Sequence, residues 1–151
     1  MRKISVSLLL VCFLSISTAV NVLAANTSDT PINFVVNALN FDVKTSAREK
    51  QNKSALYCKI TDLEDNSRVR VRAIGCNADG EINKTYNGIS GNHVDYVTLK
   101  MGEEYSIHSN IYEDGYRSAK LAFKSVNLIY PERVVGLWSP DSTRPYTDAT
   151  Q

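Results

Sequence analysis

Residues 68–73 read Arg-Val-Arg-Val-Arg-Ala, a strict alternation of charged and apolar side chains. In an extended strand successive side chains point to opposite faces, so a period of two fits a half-buried strand and cannot form the single apolar stripe of a helix. The same period returns along the chain. Leu56, Cys58 and Ile60 fall out of phase with Tyr57 and Lys59, and Ala119, Leu121 and Phe123 with Lys120, Ala122 and Lys124. Turn chemistry separates these runs: Asp62 to Ser67, Asn77-Ala78-Asp79-Gly80, Met101-Gly102-Glu103, and Asp114-Gly115, which reads as a hairpin signal. Asn127–Tyr130 and Val134–Trp138 flank Pro131-Glu132-Arg133 and predict a last hairpin, while residues 45–54 (TSAREKQNKS) read as a charged loop. No segment carries a helical stripe. About eight short strands at such intervals predict an all-β chain, a small antiparallel β-sandwich or a partly open barrel.

The first 24 residues stand apart. Arg2 and Lys3 precede an uncharged apolar run from Ile4 to Val20, and Val22-Leu23-Ala24 supplies a cleavage pattern. This predicts a signal peptide over 1–24, a secreted, extracellular protein, and no membrane-spanning segment in the mature chain. A flexible leader is expected over 25–31, the sandwich over 32–143 and a flexible tail over 144–151. The full chain carries 17 Lys and Arg against 16 Asp and Glu. Losing Arg2 and Lys3 leaves 15 against 16, and a chain so close to neutral lacks the general positive field of a nucleic-acid binder.

Export also decides how the cysteines read. Cys12 leaves with the signal, and Cys58 and Cys76 remain. In an oxidising compartment they are expected to form one disulfide, closing a loop of about 19 residues and stabilising the fold by roughly 3 kcal/mol. Two distant cysteines and two scattered histidines do not make a metal site, so no metal or cofactor is expected. Asp62-x-Glu64-Asp65-Asn66 offers oxygens but lacks the spacing and glycine of a calcium loop.

Catalytic groups are few. Gly88-Ile89-Ser90-Gly91-Asn92 misses the nucleophile-elbow spacing, because its second glycine follows the serine directly. His93 and His108 have no metal-binding partner at i+2 or i+4. A non-enzymatic protein with no catalytic residue is expected. The alternative is a small secreted hydrolase whose site forms around His93 or His108 from residues distant in sequence.

Two features address binding. Arg68, Arg70 and Arg72 share one strand face, a basic row roughly 13 Å long at ~3.3 Å per residue. Their guanidinium forks suit phosphate and carboxylate oxygens, as of an anionic envelope polymer or a lipid pyrophosphate. The same row also suits a solvated face neutralised by Asp62, Glu64 and Asp65 or by a neighbouring strand, or an edge that charge protects from pairing. Trp138 is the one tryptophan, in Val134 to Thr143 (VVGLWSPDST). As an aromatic it is a candidate binding residue. Yet Val134, Gly136 and Trp138 share one face and Val135 and Leu137 the other, which places the strand inside a sheet and Trp138 in the core, with Pro140 ending the ladder.

Arg48–Tyr57 (REKQNKSALY), Ile111–Lys124 (IYEDGYRSAKLAFK) and above all Gly136–Ser142 (GLWSPDS) resemble a family of small secreted Gram-positive proteins of mostly unknown function. That family is akin to the lactococcin-type bacteriocins. The resemblance covers residues 32–143. It implies a compact β-sandwich and an exported, non-enzymatic protein. In the bacteriocin branch it implies interference with wall synthesis through the lipid-linked precursor. The chain is longer than those bacteriocins, and its cysteine pair departs from them. The sequence therefore predicts a secreted protein acting by binding, with a cell-envelope polymer or a lipid-linked wall precursor as partner. The remaining alternative is an accessory exported protein with no ligand.

Overall fold

The computed structural model describes residues 25–37, 42–64, 68–80, 82–86 (backbone alone), 96–126, 129–143 and 146–148. The expected signal peptide, His93, the Gly88–Asn92 segment and most of the C-terminal tail lie outside them.

The described residues form strands and no helix. In chain order these are β1 (Thr30–Val36), β2 (Val43–Lys44), β3 (Arg48–Glu49), β4 (Leu56–Leu63), β5 (Arg68–Cys76), β6 (Ile82–Tyr86), β7 (Val97–Lys100), β8 (Glu104–Ile107), β9 (Ser118–Ser125), β10 (Glu132–Ser139) and β11 (Thr147–Asp148). One sheet runs β1-β10-β4-β8-β11, antiparallel except for β11 beside β8. In the other, β5 is central, with β9 along one side and β6 and β7 sharing the other; β2 and β3 close the far edge of β9. This is a small β-sandwich, with no closed barrel.

The alternation seen in the sequence builds the layer between the sheets. Val69, Val71 and Ala73 of β5 and Ala119, Leu121 and Phe123 of β9 are fully buried against Ile32, Cys58, Ile60, Val134 and Trp138 of the first sheet. β10 lies between β1 and β4, with Val134, Gly136 and Trp138 on its buried inner face and Val135 and Leu137 half-buried on the outer one. The ladder slips by one residue where Val135 opposes Asp62 and Gly136 opposes Ile60. Thr61 is the extra residue, and the slip turns Leu63 inward although it follows Ile60 by an odd step. Gly136 is needed at that point: a Cβ there would lie 2.3 Å from the Lys59 carbonyl oxygen.

Four expectations change. The Asp114-Gly115 turn, with Gly115 at φ +91°, does not join a hairpin, because β8 and β9 belong to different sheets. The same holds for the connection from β9 to β10. These turns carry the chain across the sandwich, and local turn chemistry does not distinguish crossing from pairing. The Asn77–Gly80 turn does close a hairpin, β5 to β6, with the Gly80 amide donating to the Asn77 carbonyl at 2.9 Å.

The disulfide is the third. Cys58 and Cys76 are both buried and both free. Cys58 lies in the layer between the sheets, whereas Cys76 packs with Ile74 and Ala122 on the outer side of the second sheet. A disulfide needs Cα atoms within about 7 Å and converging Cβ vectors; here the second sheet stands between the two thiols. Burial pushes both thiols above their ordinary range.

In place of sulfur, a buried polar latch ties the C-terminal strand to the segment read as a loop. Lys50 and Asp141 form an ion pair at 3.0 Å with both side chains fully buried. The Lys50 ammonium also donates to the carbonyls of Ser54 (2.6 Å) and Pro140 (2.7 Å), while the second Asp141 oxygen accepts from the amides of Asn26 (2.9 Å) and Gln51 (3.0 Å). Ser139 donates to the Asp141 carbonyl, and the Ser142 amide to the Ser54 hydroxyl. Residues 45–54 are thus not a free loop: Arg48–Glu49 pair with β9, and Lys50 is interior.

Candidate anion-binding face

β5 carries its arginines on the outer face of the second sheet, since Val69 and Val71 take the inner one. Register then brings lysines from three other strands beside them. Arg68 opposes Lys100 of β7; Arg70 stands between Thr98 of β7 and Lys124 of β9; Lys44 of β2 follows across Ala122. Directly opposed side chains in such a ladder have Cβ atoms about 4.5–5.5 Å apart, so Arg68–Lys100 and Arg70–Lys124 are two adjacent like-charge pairs.

Arg68 and Arg70 are exposed. Among the described residues no carboxylate lies within ion-pair distance of Arg68, Arg70 or Lys124. Lys100 has only an exposed contact to Glu103 at 3.9 Å. Asp62 and Glu64, the expected neutralisers, are exposed and do not pair with the row; Asp65 lies outside the described residues. Arg72 differs. Half-buried, it pairs with Asp42 and lies 4.7 Å over the ring of Tyr96, whose hydroxyl donates to the same carboxylate. Burial, reinforced by that hydrogen bond, raises the Tyr96 phenol. Arg72 is therefore a fixed corner of the face, and Lys124 reaches within 5.7 Å of the same ring. The open part is Arg68, Arg70, Lys100 and Lys124, a patch whose donors match phosphate oxygens.

The structure moves Trp138 out of the binding set. It is 1% exposed, opposite Thr30 and Cys58 in a strand paired on both sides, so its ring belongs to the core. Arg48 lies 5.7 Å over its ring and donates to Asn26 and Ser28 near the chain's N-terminal strand. Sequence reasoning missed Lys100 and Lys124. Their pairing with β5 lies within one sheet but joins segments far apart in the chain.

A second concave place surrounds His108. Its Nε2 meets Asp148 Oδ1 at 2.6 Å, and with Ser54, Ser106 and Ser142 the pair lines a shallow pocket of about 270 Å³. Both partners are exposed, and neither the Ser54 nor the Ser106 hydroxyl bonds to the imidazole: they accept from the amides of Ser142 and Tyr146. No cluster of three His, Cys, Asp or Glu side chains occurs among the described residues.

A family described as protein of unknown function (DUF2712) matches residues 20–142. The chain belongs to the DUF2712 family. The match takes in every strand from β1 to β10, so in this DUF2712 protein both the basic face and the Lys50–Asp141 latch fall inside the family region. No curated protein and no solved structure matches this DUF2712 chain.

Proposed function

We propose that this protein is exported and acts by binding, not by catalysis, gripping a phosphate-bearing anionic component of the bacterial cell envelope through Arg68, Arg70, Lys100 and Lys124. The observation that carries the reading is the two adjacent like-charge pairs. Like charges directly opposed on a sheet cost stability, so a fold that keeps two side by side on an open face has a use for an anion there. A wall polymer and a lipid-linked wall precursor both present the needed oxygens. The resemblance to lactococcin-type bacteriocins favours the precursor and a bacteriocin-like interference with wall synthesis. Pull-down with peptidoglycan, anionic wall polymer and lipid-linked precursor tests the reading. Retention on one of them at low salt, weakened at high salt as exposed charges become screened, is the expected result. No retention on any of the three would leave an accessory protein without a ligand.

A second reading, a small hydrolase, is favoured by the His108–Asp148 bond in a serine-lined pocket. It requires that the purified chain hydrolyse a member of an ester, amide and glycoside panel, and that His108→Ala abolish that turnover.

A further inference from the structure

Four large apolar side chains stand exposed among the described residues: Val35, Met101, Ile129 and Tyr130, the last two at 74% and 62%. They are scattered in sequence, yet register gathers them at one end of the sandwich. Val35 opposes Arg133 at the start of β10, and Ile129 and Tyr130 form the turn that leads into that strand. Met101 directly follows Lys100, which opposes Arg68 at the start of β5. β9 ends nearby, with Ser125 opposite Val69. This is the end at which Arg68–Lys100 and Arg70–Lys124 stand, and Arg133 is exposed there too.

Exposed Glu64, beside Arg133, and Glu103, beside Lys100, stand at this end as well, so the rim is mixed with cations in excess. An apolar tip with a mainly cationic rim matches one kind of surface in particular. Interfacial proteins seat aliphatic and amphipathic aromatic side chains at the headgroup level while arginine and lysine meet anionic lipid phosphates. We propose that this end of the sandwich docks on an anionic phospholipid bilayer, with Ile129 and Tyr130 among the headgroups and Arg68, Arg70, Lys100, Lys124 and Arg133 on the phosphates. The inference rests on the reading of the basic face as a phosphate-binding surface and adds where that phosphate lies. Charge complementarity selects the occupant: five cations outnumber the exposed carboxylates of Glu64 and Glu103 at this end, and a neutral apolar partner would leave that excess unmatched.

The chain as recovered from an expressing cell is tested by co-sedimentation with phosphatidylglycerol vesicles, with phosphatidylcholine vesicles, and by retention on soluble polyphosphate. Binding to phosphatidylglycerol over phosphatidylcholine is expected. The double variant Ile129→Ser/Tyr130→Ser should lose about tenfold in vesicle affinity at unchanged melting temperature while holding polyphosphate as the parent does, and Lys124→Glu should weaken both. Unchanged vesicle binding by the double variant, or polyphosphate binding without vesicle binding by the parent, overturns the docking and leaves the anion-binding reading standing. Loss of a dimer in the double variant would assign the tip to self-association and overturns it as well. Failure of the parent to bind any probe defeats both readings.

Discussion

Lys50 has three ammonium hydrogens and three acceptors: Ser54 O, Pro140 O and Asp141 Oδ1. Asp141 in turn spends its other oxygen on two backbone amides. A buried charge is tolerated when it is both paired and fully hydrogen-bonded, and removing one partner strands the other. Asp141→Ala should therefore destabilise the protein by about 3–5 kcal/mol in denaturant unfolding. Lys50→Met combined with Asp141→Leu should cost less than Asp141→Ala alone, because no unpaired charge remains. A double variant at least as unstable as the single one would show that the latch works through shape and not through charge. The Trp-Ser-Pro-Asp-Ser stretch is legible from this pair: Trp138 fills the core, Pro140 lends a carbonyl and Asp141 the counter-charge. From sequence alone, Lys50 was one charged residue among several between Arg48 and Lys53, and nothing local marks it as interior.

At the level of strands, β5 is the element on which both structure and activity depend. Its inner residues pack the core, and its outer residues present cations between two neighbours that present more. This gives an unusual pair of expectations for one substitution. Lys124→Glu turns the Arg70–Lys124 opposition into an attraction, so the fold should gain roughly 0.2–1 kcal/mol in thermal or urea unfolding while retention on the anionic ligand falls. A substitution that weakens both would place Lys124 in the scaffold instead. The alternation of β5 and β9 was readable residue by residue. Their adjacency was not, because more than forty residues separate their central positions and period-two patterns carry no record of which strand they meet.

For the molecule as a whole, alkaline pH is the informative stress. The phenols of Tyr57, Tyr96 and Tyr105 are raised above their ordinary value of 10.0, in each case first by burial and then by hydrogen bonds to Glu104, Asp42 and Glu103 or a neighbouring charge. The Cys58 and Cys76 thiols are raised above 9.0 by burial. In all five the unfolded chain releases its proton before the folded one does, so their contribution to stability is complete below those ordinary values and is lost as pH climbs past them. Lys50 has the opposite sign: burial lowers it from 10.5, so the folded form gives up its proton first and stability from this group rises with pH in that range. With five groups against one, the melting temperature should fall steadily from about pH 9 upward. A melting temperature flat to pH 11 would contradict the burial that the sandwich imposes on these side chains.

What the sequence by itself determined is the strand period, and with it the all-β class, the inner and outer faces of β5 and β9, and the place of β10 inside a sheet. These follow from alternation, which is a local property of an extended chain. Between core and binding surface for Trp138, only the structure decided. Tertiary structure alone decided that Cys58 and Cys76 lie on opposite sides of a sheet, that Lys50 reaches Asp141, and that the lysines of β7 and β9 flank the arginines of β5. Each of these depends on strand order and register, which are set by packing between segments far apart in the chain and leave no periodic trace within any one of them.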